Sequence, residues 1–141
     1  MCYRETKLPE FLTQAENIAN YIFTNPTMPD DMIAYWDFDA PEIPNEPRDA
    51  SAAAVMACAM YELSMYNAEK GEQYKKWADT IVESLSNNYR AKLNGDYGFL
   101  LLHSTGARNF ERDVPLVYAD YYFLEALLKK AKLEKEGTAI L

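Results

Sequence analysis

From Leu8 to Phe23, apolar residues fall at Leu8, Phe11, Leu12, Ala15, Ile18, Ala19, Ile22 and Phe23, with Glu10, Gln14 and Asn17 opposite. One stripe at three- and four-residue spacing predicts an amphipathic helix, and Pro9 suits its first turn. A second segment, about Ser51 to Tyr66, is small or apolar on nearly every side, and Asp49 or Ser51 is placed to cap its start. A helix apolar all round is a buried helix. A third, about Glu72 to Tyr89, returns to a single stripe through Tyr74, Trp77, Ala78, Ile81, Val82 and Leu85. The fourth, about Pro115 to Lys132, is again apolar on most sides until its lysine-rich end, which suits a helix C-terminus.

The order is therefore half-exposed, buried, half-exposed, buried. It predicts an all-α chain in which helix hairpins alternate between an outer and an inner layer, as an open solenoid or a closed α/α toroid. No repeat of fixed length is visible, which leans away from a simple repeat array. The inner-to-outer link between Tyr66 and Glu72 is short, whereas the outer-to-inner links, Thr24 to Ala50 and Arg90 to Val114, are long. Antiparallel hairpins place links of one kind at one end, so both long loops are expected together on one functional face.

Bulk composition narrows the partners. A formal net charge of -8 argues against nucleic acid or an anionic membrane, either of which needs a basic patch. No apolar run is long enough to span a bilayer, and the segment carries no signal peptide. Cys2 and Cys58 make neither a disulfide framework nor a metal-ligand cluster, and Cys58 reads as a small core residue. Eleven tyrosines in an aromatic share of 13% suit sugar binding, and suit a helical core equally.

The first long loop holds five of the seven prolines, which stiffen it, and seven acids: Asp30, Asp31, Asp37, Asp39, Glu42, Glu46 and Asp49. If the Tyr35–Asp39 stretch is extended, its acids share one face and its aromatics the other. The acids read as caps and turn residues, with Trp36 buried beneath the loop, or as paired carboxylates for glycoside chemistry. A calcium loop is disfavoured, since no glycine follows Asp39. The second loop carries the only histidine, His103, where an apolar segment enters a Ser-Thr-Gly turn. His103 reads as a structural hydrogen-bonder or as a binding residue, and alone it makes no zinc site. Arg108 and Arg112 suit a carboxylate or sulfate, or are solvated charges. Asp120, inside an apolar helix, needs a partner, for which Arg48 or Arg112 is the candidate.

Several stretches resemble glycoside hydrolase family 88, the unsaturated glucuronyl hydrolases. These are Tyr3 to Thr6, the WDFDAP of Trp36 to Pro41, the RDASAAA of Arg48 to Ala54, LLLHSTG, and DVPLVYADYYFLEALL. They run nearly end to end in the family's order, and WDFDAP with RDASAAA is the specific pair. The related unsaturated rhamnogalacturonyl hydrolases share the fold.

The resemblance implies that residues 1–141 form one partial domain, the C-terminal portion of a catalytic (α/α)6 barrel. It implies removal of 4,5-unsaturated uronic acid from lyase-generated oligosaccharides: an aspartate protonates the ring double bond, water adds, and the product opens. No metal or organic cofactor is expected. The family's principal aspartates match nothing here and are expected upstream, so no residue of this segment is assigned as catalytic. Trp36, Arg48, His103, Arg108, Tyr118 and Tyr121 are the expected substrate-binding residues, with Asp49 and Asp120 structural. The family's serine- and lysine-containing loop for sulfated sugars is replaced by ARNFERD. The compartment stays open, the resemblance pointing to a bacterial cytoplasm or periplasm, and self-association is expected of the chain by itself. The competing expectation is a non-catalytic helical scaffold or interaction module.

Overall fold

The computed structural model describes residues 1–95, 98–107 and 109–138. The described chain is helical. A short α1 (Cys2–Thr6) precedes α2 (Pro9–Phe23), α3 (Ala50–Ser64), α4 (Gly71–Ser84) and α5 (Val117–Thr138). A π-helical turn, Leu85–Tyr89, continues α4, so the third predicted segment is one rod whose last turn is wider than α. The helix of Cys2–Thr6 has too few residues to show a period in the sequence.

The small-residue pattern puts α3 at the centre. Ala50, Ala53, Ala54, Ala57 and Tyr61 are fully buried, and alanines let α4 and α5 approach closely on either side. The outer helices meet through aromatics: Phe23 of α2 stacks on Trp77 of α4, centroids 4.6 Å apart. Gly71 starts α4 where a Cβ would lie 2.6 Å from the Ser64 carbonyl, so the tight α3–α4 turn excludes larger residues. Ala19, Tyr74, Ile81, Leu85, Leu101, Ala119 and Phe123 complete the core.

The burial expected of the fourth helix holds on one side only. Ala119, Phe123 and Ala126 face α3, but Val117 (74% exposed), Tyr121 (63%) and Leu128 (72%) do not. A helix apolar on most sides needs neighbours on most sides, and within the described residues α3 alone covers α5 extensively.

Candidate functional site at the N-terminal end of the third helix

Both long loops converge on the start of α3. Asp49, in extended conformation just before the helix, accepts from the Ser51 backbone N–H (3.0 Å) and hydroxyl (2.6 Å). Such an N-cap satisfies amides that helix geometry leaves unpaired. The same oxygen accepts from the Thr105 backbone N–H at 3.3 Å, and the Thr105 hydroxyl donates to the Arg48 carbonyl at 3.1 Å. The His103 carbonyl accepts from the Ala50 N–H at 3.1 Å. The cap of one helix is thus also the clasp between the two loops.

The first loop is not extended through its acids. Ala34–Trp36 pairs briefly with Pro47–Asp49, the Trp36 N–H donating to the Pro47 carbonyl and the Asp49 N–H to the Ala34 carbonyl. Between these rungs the chain runs through turns. Asp37 accepts from the Asp39 N–H at 2.9 Å, a turn-forming bond that breaks the expected alternation of faces. Trp36 donates its indole N–H to Glu46 at 2.9 Å and is half-buried. Glu46, nearly covered, also lies 3.9 Å from the Arg112 guanidinium of the second loop.

Arg48 is committed within its own loop. Its guanidinium donates to Asp31 (3.0 Å) and to the Ile33 carbonyl, and it lies over the Tyr35 ring, 4.5 Å from the centroid. The other oxygen of Asp31 accepts from the Tyr89 hydroxyl at 3.0 Å. Burial, and then the charge of Asp31, push the Tyr89 hydroxyl up to about 12, so it stays protonated and donates. The π turn ends at Tyr89; such turns are rare, and those that occur are frequently at functional sites.

Asp120 corrects an expectation. Its partner is neither Arg48 nor Arg112: its two oxygens accept from the backbone N–H groups of Leu100 and Leu101, each at 2.9 Å. The acid tethers the second loop to α5, since bonds from backbone amides relieve a half-buried carboxylate as well as a cation does.

His103 is half-exposed and has a left-handed backbone, φ 63°. Its Nδ1 lies 2.6 Å from Asp113, and its ring stands edge-on to Tyr89, centroids 6.1 Å apart. The Tyr118 hydroxyl, at the start of α5, lies 3.5 Å from the Ser51 hydroxyl. Tyr121, one turn on, touches Tyr122 edge-on and is otherwise open to solvent. Arg108 lies outside the described residues.

The structure therefore gathers Trp36, Arg48, Asp49, His103 and Tyr118 around one helix end, and leaves Tyr121 at its margin. It adds Tyr89 and Asp113, and gives partners to Asp31 and Glu46, which sequence patterning named only among the loop acids because those partners lie 10 to 58 residues away. A hollow of about 330 Å³, lined by Ser64, Asn67, Gly71, Glu72, Lys75 and Leu133, lies beside the α3–α4 turn, away from these loops. No group of three or more metal-binding side chains occurs among the described residues.

No family model matches the chain. It is 43% identical over 136 residues to an unsaturated glucuronyl hydrolase of Formosa agariphila, across 94% of this chain and 34% of that protein. The crystal structure of an unsaturated glucuronyl hydrolase specific for heparin superposes with a TM-score of 0.90 at 46% identity, covering 94% of this chain and 36% of that one. A mutant of the Streptococcus agalactiae enzyme, solved in complex with dGlcA-GalNAc6S, matches at 29% identity and a TM-score of 0.81, over 91% of this chain and 35% of its own. The chain spans about a third of the length of the curated relatives it matches.

Proposed function

Since the chain belongs to the unsaturated glucuronyl hydrolases in sequence and in fold, we propose that it forms one wall of a cleft holding an oligosaccharide that ends in a 4,5-unsaturated uronic acid. It would be the C-terminal portion of an (α/α)6 barrel whose hydration of the ring double bond removes that sugar. The observation that carries this reading is the convergence of the WDFDAP–RDAS and LLLHSTG loops on one helix end. Trp36, His103, Tyr118 and Tyr121 are the side chains we assign to sugar contact; the half-buried or exposed aromatic faces and the open imidazole suit it. Arg48 shapes the loop from beneath, held by Asp31, Ile33 and Tyr35. Arg108 keeps its assignment from the sequence.

The reading includes inactivity of this chain by itself. The acid that protonates the double bond must stand free at the sugar. Asp37 is held in a turn, Asp49 caps α3 and Asp120 binds two backbone amides. The test mixes the purified chain with a lyase-generated unsaturated disaccharide, following its ultraviolet absorbance for turnover and tryptophan fluorescence for binding. Saturable quenching, abolished by Trp36→Phe, without loss of absorbance is expected. Loss of absorbance would overturn the inactivity, and absence of saturable quenching would overturn the cleft.

A second reading, a helical interaction module, is favoured by one observation. Val117, Tyr121, Leu124 and Leu128 form an exposed apolar stripe at four-, three- and four-residue spacing along α5. Exposed stripes of this kind associate, so under either reading the chain by itself is expected to self-associate in light scattering, and Leu124→Lys with Leu128→Lys to disperse it. A stable monomer would overturn that expectation and remove the module reading.

A further inference from the structure

We propose that Asp113 is a positioning residue that fixes the proton of His103 on Nδ1, so that Nε2 faces the sugar as a hydrogen-bond acceptor. The inference rests on the reading that this end of the molecule meets a carbohydrate.

The geometry begins in the backbone. Ser104 and Val114 form an isolated antiparallel bridge, each N–H donating to the other's carbonyl at 2.9 and 2.8 Å. The residue before each partner is left-handed: His103 at φ 63° and Asp113 at φ 54°. Few residues other than glycine adopt this region, although His and Asp are among the types that tolerate it. Two such residues flanking one bridged pair turn their side chains to meet, with Nδ1 and Oδ1 2.6 Å apart.

The ring is held on a second side. Tyr89 stands edge-on to it, and the Tyr89 hydroxyl donates to Asp31, which Arg48 also holds. A carboxylate can only accept from Nδ1, so the neutral imidazole carries its proton there and bares the lone pair of Nε2. Among the described residues Nε2 has no partner, and the side chain is 48% exposed. An exposed pair of this kind adds little to stability, so folding does not account for the short side-chain contact. It is explained if one atom must be presented in one protonation form. The complementary ligand group is a hydroxyl of the sugar, which donates to Nε2.

His103 is the only histidine, so its ring nitrogens give unambiguous ¹⁵N signals. In the neutral-ring range the wild-type chain is expected to show a protonated Nδ1 and a bare Nε2. Asp113→Gly removes the carboxylate while suiting the left-handed backbone, and should release the ring to the tautomer mixture of free imidazole. Asp113→Asn, whose amide oxygen still accepts, should keep the wild-type tautomer. Titration with a lyase-generated unsaturated disaccharide should move Nε2 rather than Nδ1, with affinity about tenfold weaker in Asp113→Gly. A wild-type proton on Nε2, a tautomer unmoved by Asp113→Gly, or equal affinity of the two proteins would overturn the proposal. An Asp113-dependent tautomer with no sugar bound by either protein would uphold the positioning and overturn the cleft reading instead.

Discussion

Two regions of this molecule use the same side chains to opposite ends. Between α3, α4 and α5, acids, bases and tyrosines close on one another. Tyr61 is fully buried and donates to Asp79 at 2.7 Å, and Lys130 lies 2.5 Å from the same oxygen. At the next residue, Glu62 receives Lys129 and Arg4, each at 3.0 Å, and Lys129 also reaches the Cys58 sulfur at 3.2 Å. At the N-terminal end of α3, by contrast, His103, Asp113 and Arg112 remain about half exposed or more, held by turns and caps. Where partner sets close, polar chemistry serves the fold. Where backbone geometry fixes a group but leaves one atom open, it is available to a ligand.

Breaking the closed region should cost most. Tyr61→Ala removes a buried ring and is expected to destabilise by about 3–5 kcal/mol in urea unfolding; Tyr61→Phe, losing only the bond to Asp79, by about 1–2 kcal/mol. Asp120→Ala strips the acceptor from two backbone amides, with an expected loss of about 2–3 kcal/mol and faster hydrogen exchange at Leu100 and Leu101. Asp49→Ala, removing the cap, should cost about 1 kcal/mol and loosen both loops, seen as faster exchange at Ser51 and Thr105.

Acid tests the same contrast. Burial alone would raise the Asp79 carboxyl, but bonds from Lys130 and Tyr61 outweigh it and hold it below its ordinary value. Glu62 is likewise lowered, burial being outweighed by the chain's amino group and Lys129. Depressed folded-state values contribute stability that is present above the ordinary carboxylate range and lost as pH falls through the lowered values. The thermal midpoint is therefore expected to hold near neutrality and to drop in acid, less steeply in Asp79→Asn than in wild type. The smallest stability effect should come from Tyr121→Ala, within about 0.5 kcal/mol. That variant nonetheless should weaken disaccharide binding, separating ligand contact from fold.

The helices were legible because burial follows period: the stripe of α2 and the all-round smallness of α3 are local facts of sequence. The meeting of the long loops was legible from topology, since links of one kind share an end. Asp49 could be read as a cap because its partner is two residues away. The partner of Asp120 could not, because two backbone amides carry no residue identity. Nor could the pairing of His103 with Asp113, which depends on two left-handed residues ten positions apart, or the 58-residue reach from Tyr89 to Asp31. The turns between Asp37 and Glu46 replaced the expected extended face for a similar reason: side chain to backbone bonds competed with the strand.

The π turn at Leu85–Tyr89 carries a consequence for how this stretch tolerates change in length. It accommodates more residues per turn than an α-helix, and each α-helical residue rotates the chain by about 100°. Deleting one residue between Leu85 and Asn88 would trade the π turn for α winding and leave Tyr89 near its present direction, because the wide turn already absorbs one extra residue. Deleting two would swing Tyr89 away from Asp31 and shift Arg90, which bridges Leu101 at the foot of the second loop. Substitution at the exposed Asn87 and Asn88 should therefore pass almost unnoticed, while removal of both should uncouple the outer helix from the two long loops.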